Sequence, residues 1–269
     1  MTETLAAAES LAAGLPKLLL AAERLAHVAA QGAHGRRRPG PGEDFWQYRD
    51  FRDGDDARRI DWRRSAGADR LFLREREWET QASVSLLLHD GPGMGFCSSP
   101  ALPTKRERAM LLLLAVASLL LRAGERVALA GKTPPLAGHK ALRNLASAFV
   151  AGERVAVDPK ARVIAFGEFL TPNPVFYAPP GGAVVQILDP AECDFPYAGR
   201  VVFEGFAHEP EIEAARAEDW SAAYRDRIAA QRAAVTQAAQ RAGQTALFHR
   251  TDAPPAGVLS ALYMALAQA

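Results

Sequence analysis

Cysteine is nearly absent from this chain. Cys97 and Cys193 are the only two in 269 residues, too few for a disulfide framework, so both are expected to be reduced thiols. Net charge is almost absent too: 32 Lys and Arg against 31 Asp and Glu leave +1. That balance excludes a general electrostatic attraction to nucleic acid or to an anionic membrane. The longest apolar run, Met110 to Leu121, is too short to span a bilayer and suits a buried helix. The amino terminus, Met-Thr-Glu-Thr-Leu, lacks the basic start and continuous apolar core of a signal peptide. A cytoplasmic protein without membrane insertion is the expectation. Neither a phosphate-binding loop nor a Cys-His spacing suited to zinc occurs.

A local absence is more telling. Between Arg36 and Glu79 there are twelve arginines, eleven carboxylates and no lysine. A nucleic-acid surface would be one-sidedly basic. The planar guanidinium fork suits paired contacts with Asp and Glu, whereas lysine suits a freely solvated surface. The segment reads as a folded, ion-paired arm, in which Asp55, Asp56 and Asp61 pair with neighbouring arginines while Phe51 and Trp62 bury their rings.

The order of residues in this arm is aromatic, Arg, Gly-Asp-Asp, then Arg-Arg-Ile-Asp-Trp. The residues concerned are Tyr48, Arg49, Asp50, Phe51, Gly54, Asp55, Asp56, Arg58, Ile60, Asp61 and Trp62, followed by Leu71, Leu73, Arg74 and Glu79. The pattern resembles the signature of the bacterial domain of unknown function 58 family, with Asp50-Phe51 in place of the usual Glu-Tyr. The resemblance, taken over roughly residues 36 to 269, implies a von Willebrand factor A-like fold. It also implies an association with MoxR-type AAA+ ATPases.

Elsewhere, periodicity sets the organisation. Leu15, Leu18, Leu19, Ala22, Leu25 and Ala29 recur at helical spacing, which predicts an amphipathic helix within residues 1–35 that packs on its own chain or on a partner. The Gly- and Pro-rich stretch after it reads as a loop. Its Arg36, Arg37 and Arg38 form a short basic run that reads as a solvated linker, and a nucleic-acid role ranks last. Residues 36–80 form the arm, and residues 81–269 alternate short apolar strands with helices. That alternation predicts an α/β, doubly wound sheet covered on both faces. Strands are expected at 84–89, 126–130, 162–166, 184–188, 201–206 and 246–249. Helices are expected at 105–122, 140–151, 211–242 and 255–267.

In such sheets ligands favour the crevice at the carboxyl ends of the strands, which directs attention to His89-Asp90-Gly91-Pro92-Gly93-Met94-Gly95-Phe96. In a von Willebrand-like domain the resemblance implies Asp-x-Ser-x-Ser here, with the aspartate and hydroxyls holding a divalent metal. Asp90 is present, but the serine positions read Pro92 and Met94. The threonine expected near Gly138 has no counterpart, since Thr133 lies early and Thr104 sits in another connection. Glu168 stands where an aspartate is usual. Magnesium requires several oxygen ligands in near-octahedral geometry. A degenerate site without cofactor is therefore expected, weak magnesium binding by Asp90, Glu168 and waters being the competing reading.

The binding crevice is assigned to Asp90, Pro92, Met94, Phe96 and Glu168. His89 beside Asp90 suggests a base with its orienting carboxylate, but no nucleophile accompanies them in a recognisable motif. Cys97 is placed near the crevice without a motif of its own. The preferred reading is a non-enzymatic adaptor or scaffold that works with a MoxR-type ATPase in the maturation or assembly of other proteins. The alternative is a metal-dependent hydrolase using Asp90, His89 and Glu168.

Overall fold

The structure, a computed structural model, describes residues 23–24, 26, 45–50, 60, 62–66, 70–76, 83–138, 140–149, 158–170, 180–206 and 210–268. The chain divides into two compact units, Arg37–Ala82 and a second made of Met1–Arg36 with Ser83–Ala269.

In the smaller unit, β1 (Phe45–Asp50) pairs antiparallel with β2 (Phe72–Arg76), Arg49 lying opposite Leu73. A single turn of helix, α1 (Trp62–Ser65), lies between them in sequence, and Ser65 Oγ accepts the Phe72 N–H at 2.9 Å. Ile60 is buried, but Trp62 is 63% exposed. The expected burial of the Trp62 ring is therefore corrected: the one-turn helix turns Ser65, and not Trp62, inward. Arg70 pairs with Asp50 at 3.2 Å on an exposed surface. The turn residues Gly54, Asp55 and Asp56, with Phe51, Arg58 and Asp61, lie outside the described residues.

The larger unit is built on five parallel strands: β3 (Ser83–His89), β4 (Arg126–Leu129), β5 (Arg162–Gly167), β6 (Ala183–Leu188) and β9 (Thr245–Arg250). Their spatial order is β4-β3-β5-β6-β9. Alternation along each strand separates two cores. Val84, Leu86, Val127, Leu129, Ile164, Phe166, Val185 and Ile187 face one way, against α2 (Lys105–Arg122), α3 (Ala141–Ser147) and α6 (Pro255–Gln268). Ala165, Val184, Ala246 and Phe248 face the other way, against Val235 and Ala239 of α5 (Ser221–Arg241).

The sequence of α2 explains its central place. Thr104 and Glu107 cap its start reciprocally, and its residues from Ala109 to Leu120 are almost all buried. The run read from the sequence as too short for a bilayer is the helix that fills one face of the sheet. Of the N-terminal helix expected before residue 35, Glu23, Arg24 and Ala26 are described. All three are helical, with Ala26 fully buried in the main core and Glu23 and Arg24 exposed.

Two expectations are corrected in the stretch after β6. The strand expected at 201–206 does not join the main sheet. Val201–Phe203 (β7) pairs antiparallel with Ile212–Ala214 (β8) as a separate ribbon. The long helix expected over 211–242 therefore begins only at Ser221, preceded by β8 and a 3-10 turn at Ala217–Trp220. The Ala- and Glu-rich sequence there has helical propensity, but pairing with β7 overrides it. The ribbon closes over an aromatic cluster in which Phe195 contacts Tyr197, Phe203 and Tyr224.

Candidate functional site

Because β3 is flanked by β4 on one side and β5 on the other, the chain reverses its direction of advance across the sheet between β3 and β5. The crevice of an open parallel sheet falls at that point, outside the carboxyl ends of the strands. Four connections converge there: the loop after β3, the first residue of α2, the Glu168-Phe169 turn after β5, and α4 (Pro190–Asp194) after β6.

The loop after β3 is short and tightly wound. Pro92–Gly95 form one 3-10 turn, closed by the Met94 N–H to Gly91 carbonyl and the Phe96 N–H to Gly93 carbonyl bonds. Glycines at 91 and 93 are required by a neighbour: a Cβ at either would collide with a Glu168 carboxylate oxygen. Gly91 has φ −75°, so the requirement there is steric and not conformational. The loop is thus a cradle fitted to Glu168, and the Gly93 N–H donates to Glu168 Oε1 at 3.2 Å.

Glu168 is aimed into the cradle by its own backbone. Its carbonyl accepts from Gln186 Nε2 at 2.7 Å, and the next carbonyl, that of Phe169, accepts from Gln231 Nε2 at 2.6 Å. Between these anchors Phe169 adopts a left-handed conformation, φ 47°, uncommon for a bulky side chain and maintained only where the surroundings determine it. His89 lies across the Phe169 ring, with centroids 5.2 Å apart.

The charge that answers Glu168 is Lys105. The ammonium lies 2.9 Å from Glu168 Oε2 and 2.6 Å from Glu192 Oε1, and the lysine is fully buried. Phe96 and Phe206 close over it, with Nζ 6.0 and 5.9 Å from their ring centroids and the rings themselves edge to face. Glu192 sits in α4, which starts with Asp189 as its cap. Asp189 accepts the Ala191 N–H at 2.8 Å, and Glu192 Oε2 accepts the Asp189 N–H at 2.7 Å. The second oxygen of Asp189 takes the Ser98 N–H at 3.0 Å, which ties the β3 connection to the end of β6. Burial pushes the Glu192 carboxyl up from its ordinary range, and the Lys105 charge opposes that rise.

The residues expected to line a crevice are only partly brought together. Pro92 is exposed and Phe96 half-buried at the mouth. Met94 belongs to the main core with no exposed surface, because the 3-10 turn points it under the sheet end; its assignment as a crevice contact is corrected. Asp90 is exposed and paired with Arg106 at 2.6 Å. Thr104 caps α2, and Thr133 Oγ1 accepts the Leu129 N–H at 2.8 Å in a local turn, so each threonine is committed to backbone. The implied divalent metal does not fit this donor set. Asp90 is engaged by Arg106, and an ammonium occupies the position that Glu168 faces. Among the described residues no group of three or more His, Cys, Asp or Glu is arranged to hold a metal. Cys97 and Cys193 are free and half-buried.

Lys105, Asp189 and Glu192 escape a reading based on metal-site motifs. Two signals for them exist: a lysine at the first position of a helix, where the macrodipole disfavours a cation, and a second capping box, Asp189-Pro-Ala-Glu192.

A second buried polar group lies on the other flank of α2. Arg108 donates to the carbonyls of Thr251 and Ala253 at 2.7 and 3.2 Å, tying the helix to the end of β9. Nearby His249 is buried, and desolvation, helped by the Arg108 charge, pushes its pKa down to about 4.

Among the described residues no helix is long and apolar enough to cross a membrane. No solved structure matches the chain. Uncharacterized proteins of Mycobacterium tuberculosis and Mycobacterium bovis are each 28% identical to it over 282 residues, covering 90% of this chain and 85% of the relative. Residues 47–171 match the family model described as Protein of unknown function DUF58, a stretch that runs from β1 through Lys105 and Glu168 and stops before Asp189 and Glu192.

Proposed function

We propose that this protein is a cytoplasmic, non-enzymatic adaptor or scaffold with a von Willebrand factor A-like domain, which uses the crevice at the ends of β3, β5 and β6 to bind protein. The observation that carries this reading is the direction in which the crevice turns its chemistry. Glu168 and Glu192 are directed inward and engaged with Lys105 and backbone N–H groups, while the surface above them presents Pro92, half-buried Phe96 and Phe206, the last 51% exposed. Apolar and aromatic groups above an ion-paired floor suit recognition by shape and contact. The hydrolase alternative requires Asp90, His89 and Glu168 to act together. Asp90 is paired with Arg106, His89 packs on Phe169, and Glu168 is held by Lys105.

The partner in this reading is a MoxR-type AAA+ ATPase, acting with the adaptor on client proteins whose maturation or assembly it drives. Capture of such an ATPase by the tagged full chain, with and without nucleotide, tests the reading. Capture should survive EDTA, after allowance for magnesium required by the ATPase itself, and should fall at least tenfold for Phe206→Asp. Hydrolysis of a generic ester or phosphate substrate that needs added metal and is lost in Glu168→Gln would instead establish the enzyme reading.

A further inference from the structure

The two carboxylates around Lys105 share one design. Glu168 gives Oε1 to the Gly93 N–H and Oε2 to the ammonium. Glu192 gives Oε2 to the Asp189 N–H and Oε1 to the ammonium. Each is therefore oriented by backbone, independently of the lysine, so that one free oxygen from β5's end and one from α4 face a common point. Lys105 reaches that point from the first turn of α2, where its charge opposes the helix macrodipole. A fully buried ammonium would not persist in such a place without opposing charge. The arrangement is that of a cation site whose cation is covalently attached to the chain.

We propose that Lys105 is a resident cation: its ammonium fills a site formed by Glu168 Oε2 and Glu192 Oε1 and closes that site to divalent metal. The inference rests on the metal-independent crevice described above and supplies its physical cause. Loss of hydroxyl ligands then accounts for only part of the absence of a metal site. The remainder is occupancy, which a single substitution reverses. Shortening residue 105 leaves two preorganised carboxylate oxygens around a space that a hydrated divalent ion can enter, oxygen ligands being what hard cations select.

The experiment uses the full chain as wild type, Lys105→Ala, and Lys105→Ala combined with Glu168→Gln. Free Mn²⁺ is followed by electron paramagnetic resonance during titration, and thermal melts are recorded with and without millimolar Mn²⁺. The expected result is no saturable binding by wild type, one Mn²⁺ bound by Lys105→Ala at least tenfold more tightly than by either other protein, and a melting temperature of Lys105→Ala that rises with Mn²⁺. If Lys105→Ala does not fold alone, refolding yield in Mn²⁺ against EDTA is the measure. Recovery only in Mn²⁺ supports the proposal, and no recovery in either overturns it. A folded Lys105→Ala that takes up no Mn²⁺ overturns the resident-cation proposal while leaving the adaptor reading to the capture assay. Saturable Mn²⁺ binding by wild type overturns both this proposal and the metal-independent crevice.

Discussion

The described ion pair of the arm and the ion pairs of the crevice hold their charges in opposite ways. The arm concentrates twelve arginines and eleven carboxylates between Arg36 and Glu79, yet its described ion pair, Arg70 with Asp50, has side chains 73% and 51% exposed. The crevice contributes a single lysine, and that lysine is completely buried between two glutamates. Exposed pairs stabilise by about 0–1 kcal/mol, because water screens the attraction and two long side chains lose freedom. Removing one member of a buried pair costs about 3–5 kcal/mol, because the other charge is left without water or partner. Charge density along a sequence does not by itself say which ion pair is buried. Burial follows from where α2 begins relative to the ends of β5 and β6.

The sharpest way to break this comparison is Lys105→Met, which preserves bulk and removes the charge. A loss of about 3–5 kcal/mol is expected in denaturant melts, since Glu168 and Glu192 would face each other unpaired. A loss within about 1 kcal/mol would put the crevice on the same footing as the arm.

His249 extends the comparison to pH. Its folded pKa of about 4 lies below the ordinary 6.5, so the unfolded chain binds the proton first as pH falls. Stability is complete above about pH 6.5 and declines through the window down to about 4, by as much as about 3 kcal/mol. His249→Leu should flatten that part of the profile, and an unchanged slope would assign the acid sensitivity elsewhere. Glu192 acts with the opposite sign. Its raised pKa means that stability falls as pH rises above the ordinary glutamate range, because ionising the buried carboxyl costs more in the folded chain.

A smaller effect, about 1–3 kcal/mol, is expected for Gly93→Ala, whose Cβ would collide with Glu168 and crowd the Phe206 ring. The same change at Gly95, where an added Cβ meets nothing within 4 Å, is the control and should be close to neutral. Comparable losses at both positions would show that the glycines serve backbone freedom and not the fit to Glu168. The smallest effect is predicted for Arg70→Ala on the arm, at under about 1 kcal/mol and diminishing further in high salt.

Much of the framework is legible in the sequence. All five strands of the main sheet were expected within one residue at each end, and α2 with the bounds it has, because a parallel strand buried on both faces reads as a short apolar run and α2 carries its capping box in view. The end of β3 was legible for the same reason, and the buried Lys105 cluster lies beside it. Its occupants were less legible. Lys105 opens a Lys-Arg-Glu-Arg sequence in which Arg106 and Glu107 are exposed, and only the three-dimensional approach of Glu168 and Glu192, distant in sequence, distinguishes it from a solvated charge. Met94 was misplaced because a loop residue's direction depends on the 3-10 turn that the sequence does not announce. The β7–β8 ribbon was missed because Ile212–Ala214 takes its conformation from Val201–Phe203 and not from its own propensity.

A double-mutant cycle between Lys105 and Glu168 measures whether the crevice is organised around a buried ammonium. Denaturant melts of wild type, Lys105→Met, Glu168→Gln and the double variant yield the coupling energy between the two side chains. A favourable coupling of about 2 kcal/mol or more is predicted, with the double variant more stable than additivity of the two single losses would allow. Coupling within about 0.5 kcal/mol of zero would contradict the account.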